Sequence, residues 1–292
     1  MSVSYKGMLA CVFGSLLVLP ITASEANSAA KPDAQTLSQV EDKRKTLMAD
    51  ATSAIQETQA ALKHLDNGKT KEALAALERA TGKLDVMLAR DPTLELAPAG
   101  VRVVTYDLQG GVEAVNRIRK QAESDIDAGQ LQEARHLLNN LASETVISVA
   151  NIPLATYPDA IKSAVKLIDQ NKKAEAKRVL QTALNTQVLT DTIIPLPVVK
   201  AQEALNSAES LAEKKDRSKE DNDRLKASME QARGQLEFAQ ALGYGTKKDF
   251  DKMYDELTEI LDKTSDNKSG TGWFSKIKES IADFLKSNQT QK

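Results

Sequence analysis

The sequence predicts a mainly all-α protein, an array of helical hairpins or a bundle closed by an amphipathic helix, and three observations point there. Only 5 Phe, 5 Tyr and 1 Trp occur among 292 residues, too few for the strands of sandwiches or barrels, which draw on aromatic side chains. Apolar residues recur at spacings of three, four and seven along most of the chain, the helical period. One short turn phrase also occurs three times. With 41% apolar and 27% charged residues the chain is too apolar for a disordered polyelectrolyte and long enough to bury a sizeable core. Its 39 basic and 41 acidic residues leave a net charge of −2, which excludes a basic nucleic-acid binder.

The chain opens with the layout of a secretory signal peptide. Lys6 gives a positive start, Met8 to Ile21 is a nearly unbroken apolar run, and the small residues Thr22, Ala23, Ser24, Ala26, Ala29 and Ala30 follow. The run is shorter than the roughly 20 residues that span a bilayer. Residues 1–26 are therefore expected to be removed, with cleavage between Ala23 and Ala30, an uncleaved anchor being the alternative. The sole cysteine, Cys11, has only Met8, Leu9 and Ala10 as an apolar lead, a poor lipid-attachment context, and is expected to leave with the signal. A periplasmic or secreted chain without disulfide or thiol follows, stabilised by packing. Residues 27–36 are small, polar and aperiodic, and read as a tether.

From residue 37 a helical-hairpin domain is expected to run to 242. Leu37, Val40, Leu47, Ala51, Ile55, Leu62 and Leu65 trace one long amphipathic helix, closed by Leu65-Asp66-Asn67-Gly68-Lys69, after which Glu72, Ala73 and Leu77 open the next. The phrase returns as Ile126-Asp127-Ala128-Gly129-Gln130 with Glu133, Ala134 and Leu138. It returns again as Ile168-Asp169-Gln170-Asn171-Lys172 with Glu175, Ala176 and Leu180. Each copy places a Gly or Asn able to take positive φ at the turn, a Glu facing the dipole of the following helix, and Ala and Leu on one face. Pro92, Pro153 and Pro195 recur at the same two offsets as the turns. The first unit is longer than the second, and the excess reads as an extended insertion between Thr93 and Gly111 that contains Val101 to Tyr106. Thr145 to Val149 and Thr192 to Leu196 are also β-branched and apolar, so short strands or extended crossovers are allowed there.

Further along, Val198, Ala201, Leu205, Ala208 and Leu211 resume the helical stripe. Residues 213–223 are nearly all charged with mixed signs, which predicts a solvated hairpin tip. Leu225 to Leu242 continue the stripe until Gly243-Tyr244-Gly245 breaks it. Thr246 and Asp249 suit a cap for a helix over 246–263 carrying Phe250, Met253, Tyr254, Leu257, Ile260 and Leu261.

The segments Leu65 to Leu77, Pro158 to Leu180 and Pro195 to Leu211 together resemble the YfdX family of exported bacterial proteins, a likeness that extends over about Ala51 to Leu242. The resemblance implies a mostly helical periplasmic protein, linked in some relatives to acid and drug stress, with chaperone-like or small-molecule binding suggested. It implies nothing for the residues from Gly243 onward.

Motifs that would carry chemistry are weak. His64 and His136 lack partner motifs and read as helix-surface or packing imidazoles rather than a pH-sensing pair. Gly243-Tyr244-Gly245 and Gly270-Thr271-Gly272 lack the third glycine and the preceding strand of a phosphate cradle. Asp266 to Gly270 has the wrong ligand spacing for calcium, with Lys276 where the bidentate Glu belongs. The carboxylate pairs Asp125/Asp127 and Asp221/Asp223 read as solvated. No catalytic, cofactor or metal residue is expected, and a non-enzyme is the preferred reading. A carboxylate-based enzyme would require acids distant in sequence to converge.

One segment stands out. After a linker over 264–272, Trp273, Phe274, Ile277, Ile281, Phe284 and Leu285 form an apolar stripe on a helix over 273–288. Three fates are open to it: docking on the body, binding a partner protein, or lying on a membrane surface. As a candidate partner-binding set, these six accompany the expected function, an exported, stress-related, chaperone-like binding protein for which acid offers a trigger. Its partners would be client proteins or further copies of itself. The alternative is a periplasmic carrier whose apolar pocket is lined by hairpin leucines and Tyr106 or Tyr157.

Overall fold

The computed structural model describes residues 34–288, with side chains from 45 to 287; the expected signal peptide, Cys11 and most of the tether lie outside the described residues. The chain is mainly α-helical with one small sheet. Its order is α1 (Ala34–Asp66), α2 (Thr70–Arg90), β1 (Leu96–Asp107), α3 (Gly111–Asp127), α4 (Leu131–Asn139), β2 (Ser143–Pro153), α5 (Tyr157–Asp169), α6 (Lys173–Asn185) and β3 (Val188–Pro195). Then come α7 (Leu196–Ala212), α8 (Lys219–Leu242), α9 (Lys247–Thr264), a 3-10 turn (Ser265–Asn267) and α10 (Ser275–Asn288). The first helix thus begins at Ala34, inside the segment read as a tether.

Each repeat is a helical hairpin followed by a strand, and the three hairpin turns are built alike. Gly68, Gly129 and Asn171 sit at φ of 72°, 74° and 58°. In each turn this residue donates to the carbonyl three residues back and its successor to the carbonyl five back: Gly68 to Leu65 and Lys69 to His64, Gly129 to Ile126 and Gln130 to Asp125, Asn171 to Ile168 and Lys172 to Leu167. That bond pair satisfies the orphan carbonyls of the helix end and requires a left-handed residue, which explains the Gly or Asn. Gly243 ends α8 in the same way.

The strands also follow the repeat, and they correct two sequence readings. Pro153 and Pro195 end β2 and β3, whereas Pro92 precedes β1, so the equal offsets do not mark equivalent places. Nor is the extra length of the first unit an inserted strand: β1 has 12 residues against 11 in β2, while α2 has 21 against nine in α4. The sheet order is β1-β2-β3. Leu154 donates to the Glu95 carbonyl, the Thr105 and Thr145 hydroxyls lie 3.0 Å apart, and Ser143 Oγ reaches Asp107. These partners place β1 and β2 antiparallel.

The contacts divide the chain into two units interleaved in sequence, one comprising residues up to Gly100 with Ala150–Val188, the other Val101–Val149 with the residues from Leu189 on. In the first, α1 packs on α6 and α2 on α5, so hairpin meets hairpin. Its core is dense in small residues, with Ala51, Ala54, Ala61, Ala73, Ala76 and Ala80 fully buried beside Leu77, Leu84, Tyr157, Ile161 and Leu180. Alanine lets helices approach closely, and each buried leucine adds about 1.5–3 kcal/mol. In the second unit α3 packs on α8, while α7, α8, α9 and α10 share a core containing Leu205, Met229, Leu236, Phe250, Leu257 and Phe274.

Candidate functional site

The stripe expected to bind a partner is used inside the second unit. Phe274, Ile277, Ile281 and Phe284 are buried in its core and Trp273 and Leu285 are partly buried against it. A Cβ on Gly245 would stand 2.4 Å from the Phe284 ring, and one on Gly270 2.3 Å from Trp273, so both glycines admit an aromatic ring at close range. Lys276 pairs with Glu259 and Lys278 with Glu209, fastening the polar edges of α10 to α9 and α7. Docking is the fate the structure adopts, because aromatic side chains concentrated at the end of the chain complete a core rather than a surface.

The charged run also departs from expectation. Arg217 and Asp221 are buried. Asp221 forms a capping box with Ser218 at the start of α8 and pairs with Lys214, whose ammonium holds its carboxyl below the ordinary value. Asp125 is likewise buried and accepts a hydrogen bond from Gln121 at 2.9 Å, whereas Asp127 and Asp223 are exposed. His64 lies on α1 in the first unit and His136 on α4 in the second. Among the described residues no group of three or more His, Cys, Asp or Glu is placed to hold a metal ion, and no helix is long and apolar enough to cross a membrane.

Two features have the geometry of binding sites. The first is the outer half of β1. Ala97 and Ala99 are buried, and Thr52 Oγ1 donates to the Ala99 carbonyl at 2.7 Å. From Val101 the strand comes to the surface, with Val101, Val103 and Tyr106 exposed. Alternation puts Val101, Val103 and Thr105 on one face and Tyr106 on the other. Since β1 is terminal in the sheet, one of its edges carries main-chain N–H and C=O groups that no strand pairs among the described residues. Asp107 anchors the end of the strand, reached by Lys200 Nζ and Ser143 Oγ, both at 3.1 Å. The Ser143 N–H in turn donates to Tyr244 Oη at 2.9 Å, and burial pushes the Tyr244 phenol well above its ordinary value. Val101 to Tyr106 was legible as extended; that it is a sheet edge was not, because strand order depends on pairings distant in sequence.

The second feature is a cavity of about 310 Å³ in the first unit where α5 begins and α6 ends, lined by Thr156, Tyr157, Ala160, Arg178, Thr182 and Thr186 among others. Burial raises the Tyr157 phenol, partly offset by Thr58. Of the residues expected to line a pocket, Tyr157 borders this cavity, Tyr106 stands exposed on β1, and the hairpin leucines Leu77 and Leu180 are core residues outside its lining.

Fold and surfaces together define a class, a mainly helical protein of repeated hairpin-and-strand units with a helical extension. Residues 54–193 match the family model described as YfdX protein, and this region of the chain belongs to that family. The match ends within β3, ahead of α7–α10. A solved structure of Salmonella Typhi YfdX aligns with a TM-score of 0.36 and 16% identity, covering 51% of this chain and 92% of the other. No curated protein matches the chain.

Proposed function

We infer that the chain is an exported, non-enzymatic binding protein that shields extended apolar segments of client proteins, in the manner of a chaperone under acid stress. The observation that carries this reading is the terminal strand β1, which offers unpaired main-chain groups beside the exposed Val101, Val103 and Tyr106. An open apolar strand edge is a template for a further strand, with main-chain hydrogen bonds supplying affinity and alternate side chains supplying selectivity. Export is supported by the apolar run Met8 to Ile21 and the small residues behind it. Carboxylates outnumber cations only slightly, so acid that neutralises them turns the chain strongly positive and keeps a loaded complex dispersed.

The test is aggregation of a denatured client, followed by light scattering at pH 7 and pH 3. The protein should suppress it, and Val103→Pro, which removes a main-chain donor from the exposed part of β1, together with Val101→Lys should abolish the effect while retaining helical circular dichroism. No suppression at either pH, or suppression unchanged in both variants, overturns the reading. A second reading, capture of a small molecule, is favoured by the cavity at Tyr157 and Arg178, whose volume lies in the range of ligand sites. A ligand there raises the melting temperature in proportion to occupancy, and Ala160→Trp should remove that rise.

A further inference from the structure

We propose that the first unit docks on an anionic bilayer through a basic pole, the end where its two hairpin turns meet. The packing of its helices sets both turns at one end. α1 lies on α6 and α2 on α5. Asp66, which closes α1, pairs with Lys177 near the start of α6 at 2.7 Å, and Leu74 near the start of α2 shares a groove with Asp169, which ends α5. Residues 63–72 and 166–177 therefore form one surface.

That surface carries seven lysines against four acids, Asp66, Glu72, Asp169 and Glu175. Lys177 neutralises Asp66. Glu72 and Glu175 lie in the first turns of α2 and α6, where the helix dipole already offsets their charge. The other six lysines, Lys63, Lys69, Lys71, Lys166, Lys172 and Lys173, have no hydrogen bond or ion pair among the described residues. Five of them are exposed and Lys173 is half-buried. Further along the same helices the cations are paired: Arg79 with Glu57, Lys83 and Arg90 with Asp50, and Lys162 with Asp85. The repeat sharpens the contrast. Lys63 and Lys166 hold one register position, and Lys69 and Lys172 another, where the middle hairpin, outside this unit, has Ser124 and Gln130. Lysine recurs only in the two hairpins whose turns share this end.

The chemistry of the patch selects the occupant. A protein partner is held by desolvated apolar and aromatic anchors at the centre of an interface. Among the described residues the large apolar side chains exposed in this unit are Val86 and Val188, and both lie outside the turn segments. A discrete phosphate or carboxylate site draws on arginine, whose planar fork makes two parallel bonds; these six are all lysine, point charges on flexible stems. Unpaired point charges without an apolar centre suit a surface whose own charges move to meet them, a fluid layer of anionic headgroups. Attachment by charge alone follows, without entry into the hydrocarbon. The net charge of −2 over the whole chain does not oppose it, because charges more than about 8 Å away are largely screened at physiological salt.

Co-sedimentation with vesicles tests this on the chain from Asn27, which keeps every described residue and omits the apolar run Met8 to Ile21. Phosphatidylcholine vesicles with roughly 30% phosphatidylglycerol should bind it, and pure phosphatidylcholine should not. Raising salt from about 0.1 M to about 0.5 M should release it. Lys69→Glu with Lys172→Glu should weaken binding by about tenfold or more. Lys226→Glu with Lys252→Glu, the same charge change on exposed lysines of α8 and α9, should leave it within about threefold. Lys69→Arg with Lys172→Arg should bind as the parent does, since charge rather than fork geometry is used. Binding indifferent to phosphatidylglycerol, capture by heparin without capture by vesicles, or equal losses in the two reversal pairs would overturn the proposal.

Discussion

Arg217 Nη2 donates to the main-chain oxygen of Thr264 at 3.2 Å, so the most charged stretch of the sequence sends a buried guanidinium to the carboxyl end of α9. Its other donors reach the Ala212 carbonyl at 3.1 Å, the Lys268 carbonyl at 2.8 Å and Asn222 Oδ1 at 2.8 Å. Ala212 and Thr264 end α7 and α9, where partial negative charge accumulates. One cation therefore closes two helices and the linker ahead of α10. Arg217→Lys keeps the charge but not the fork, and leaving buried carbonyls without donors should cost about 2 kcal/mol in urea unfolding. A loss of less than a quarter of that would show the guanidinium to be incidental.

The contact between Gly245 and the Phe284 ring predicts an overpacking defect. Gly245→Ala should cost about 1–3 kcal/mol, because the added methyl meets Phe284 on one side and Phe250 at 3.1 Å on the other. Gly245→Ala with Phe284→Leu should be less destabilised than the sum of the two single variants, which a double-mutant cycle by chemical denaturation would read.

The three hairpin turns should respond in opposite directions to small substitutions. Gly68→Ala and Gly129→Ala place a Cβ in the left-handed region and should each cost about 1 kcal/mol. Asn171→Gly, at φ 58°, relieves that strain and should be neutral or stabilising. Thermal unfolding of the three variants gives the comparison.

Acid should loosen the second unit at the entries to α8 and α9. The Thr246 hydroxyl holds the Asp249 carboxyl below its ordinary value, as Lys214 does for Asp221. A carboxyl depressed in the folded state contributes stability that is present above the unfolded value, near 3.8 for both, and is lost as pH falls through the lower folded value. Asp221→Asn with Asp249→Asn should therefore be less stable than the parent at pH 7 and show a shallower loss below about pH 4. Thr246→Ala should cost about 1 kcal/mol at neutral pH. Acid unfolding curves that superimpose for parent and double variant would contradict this.

Local order was legible in the sequence; partnership was not. The turns at Gly68, Gly129 and Asn171 could be read because each depends on a handful of adjacent residues with a steric requirement. The cap of α9 could be read from Thr246 and Asp249 for the same reason. That α1–α2 pairs with α5–α6 and passes over the intervening hairpin depends on alanine faces that look alike in all three repeats. Counting offsets misled at Pro92, since equal residue numbers were consumed by unequal helices, α2 against α4. Composition misled at Arg217, because a run averaging to hydrophilic says nothing of the one side chain that turns inward toward helix ends. The apolar stripe from Trp273 to Leu285 was visible, but an amphipathic helix reads the same whether its cover is another molecule or its own chain.

Interleaving in the sequence has a consequence for how the molecule can be cut or built. A fragment that stops at residue 193, where the family match ends, retains the packing of α1 on α6 and of α2 on α5. It strips α8 from α3, the helix that carries the buried Ala114, Val115 and Ala122. During vectorial synthesis the same order holds, with the middle hairpin emerging long before the helices that shelter it. The extension is thus the internal escort of the repeat that precedes it, and shortening the gene to its recognisable portion would yield a product prone to clump.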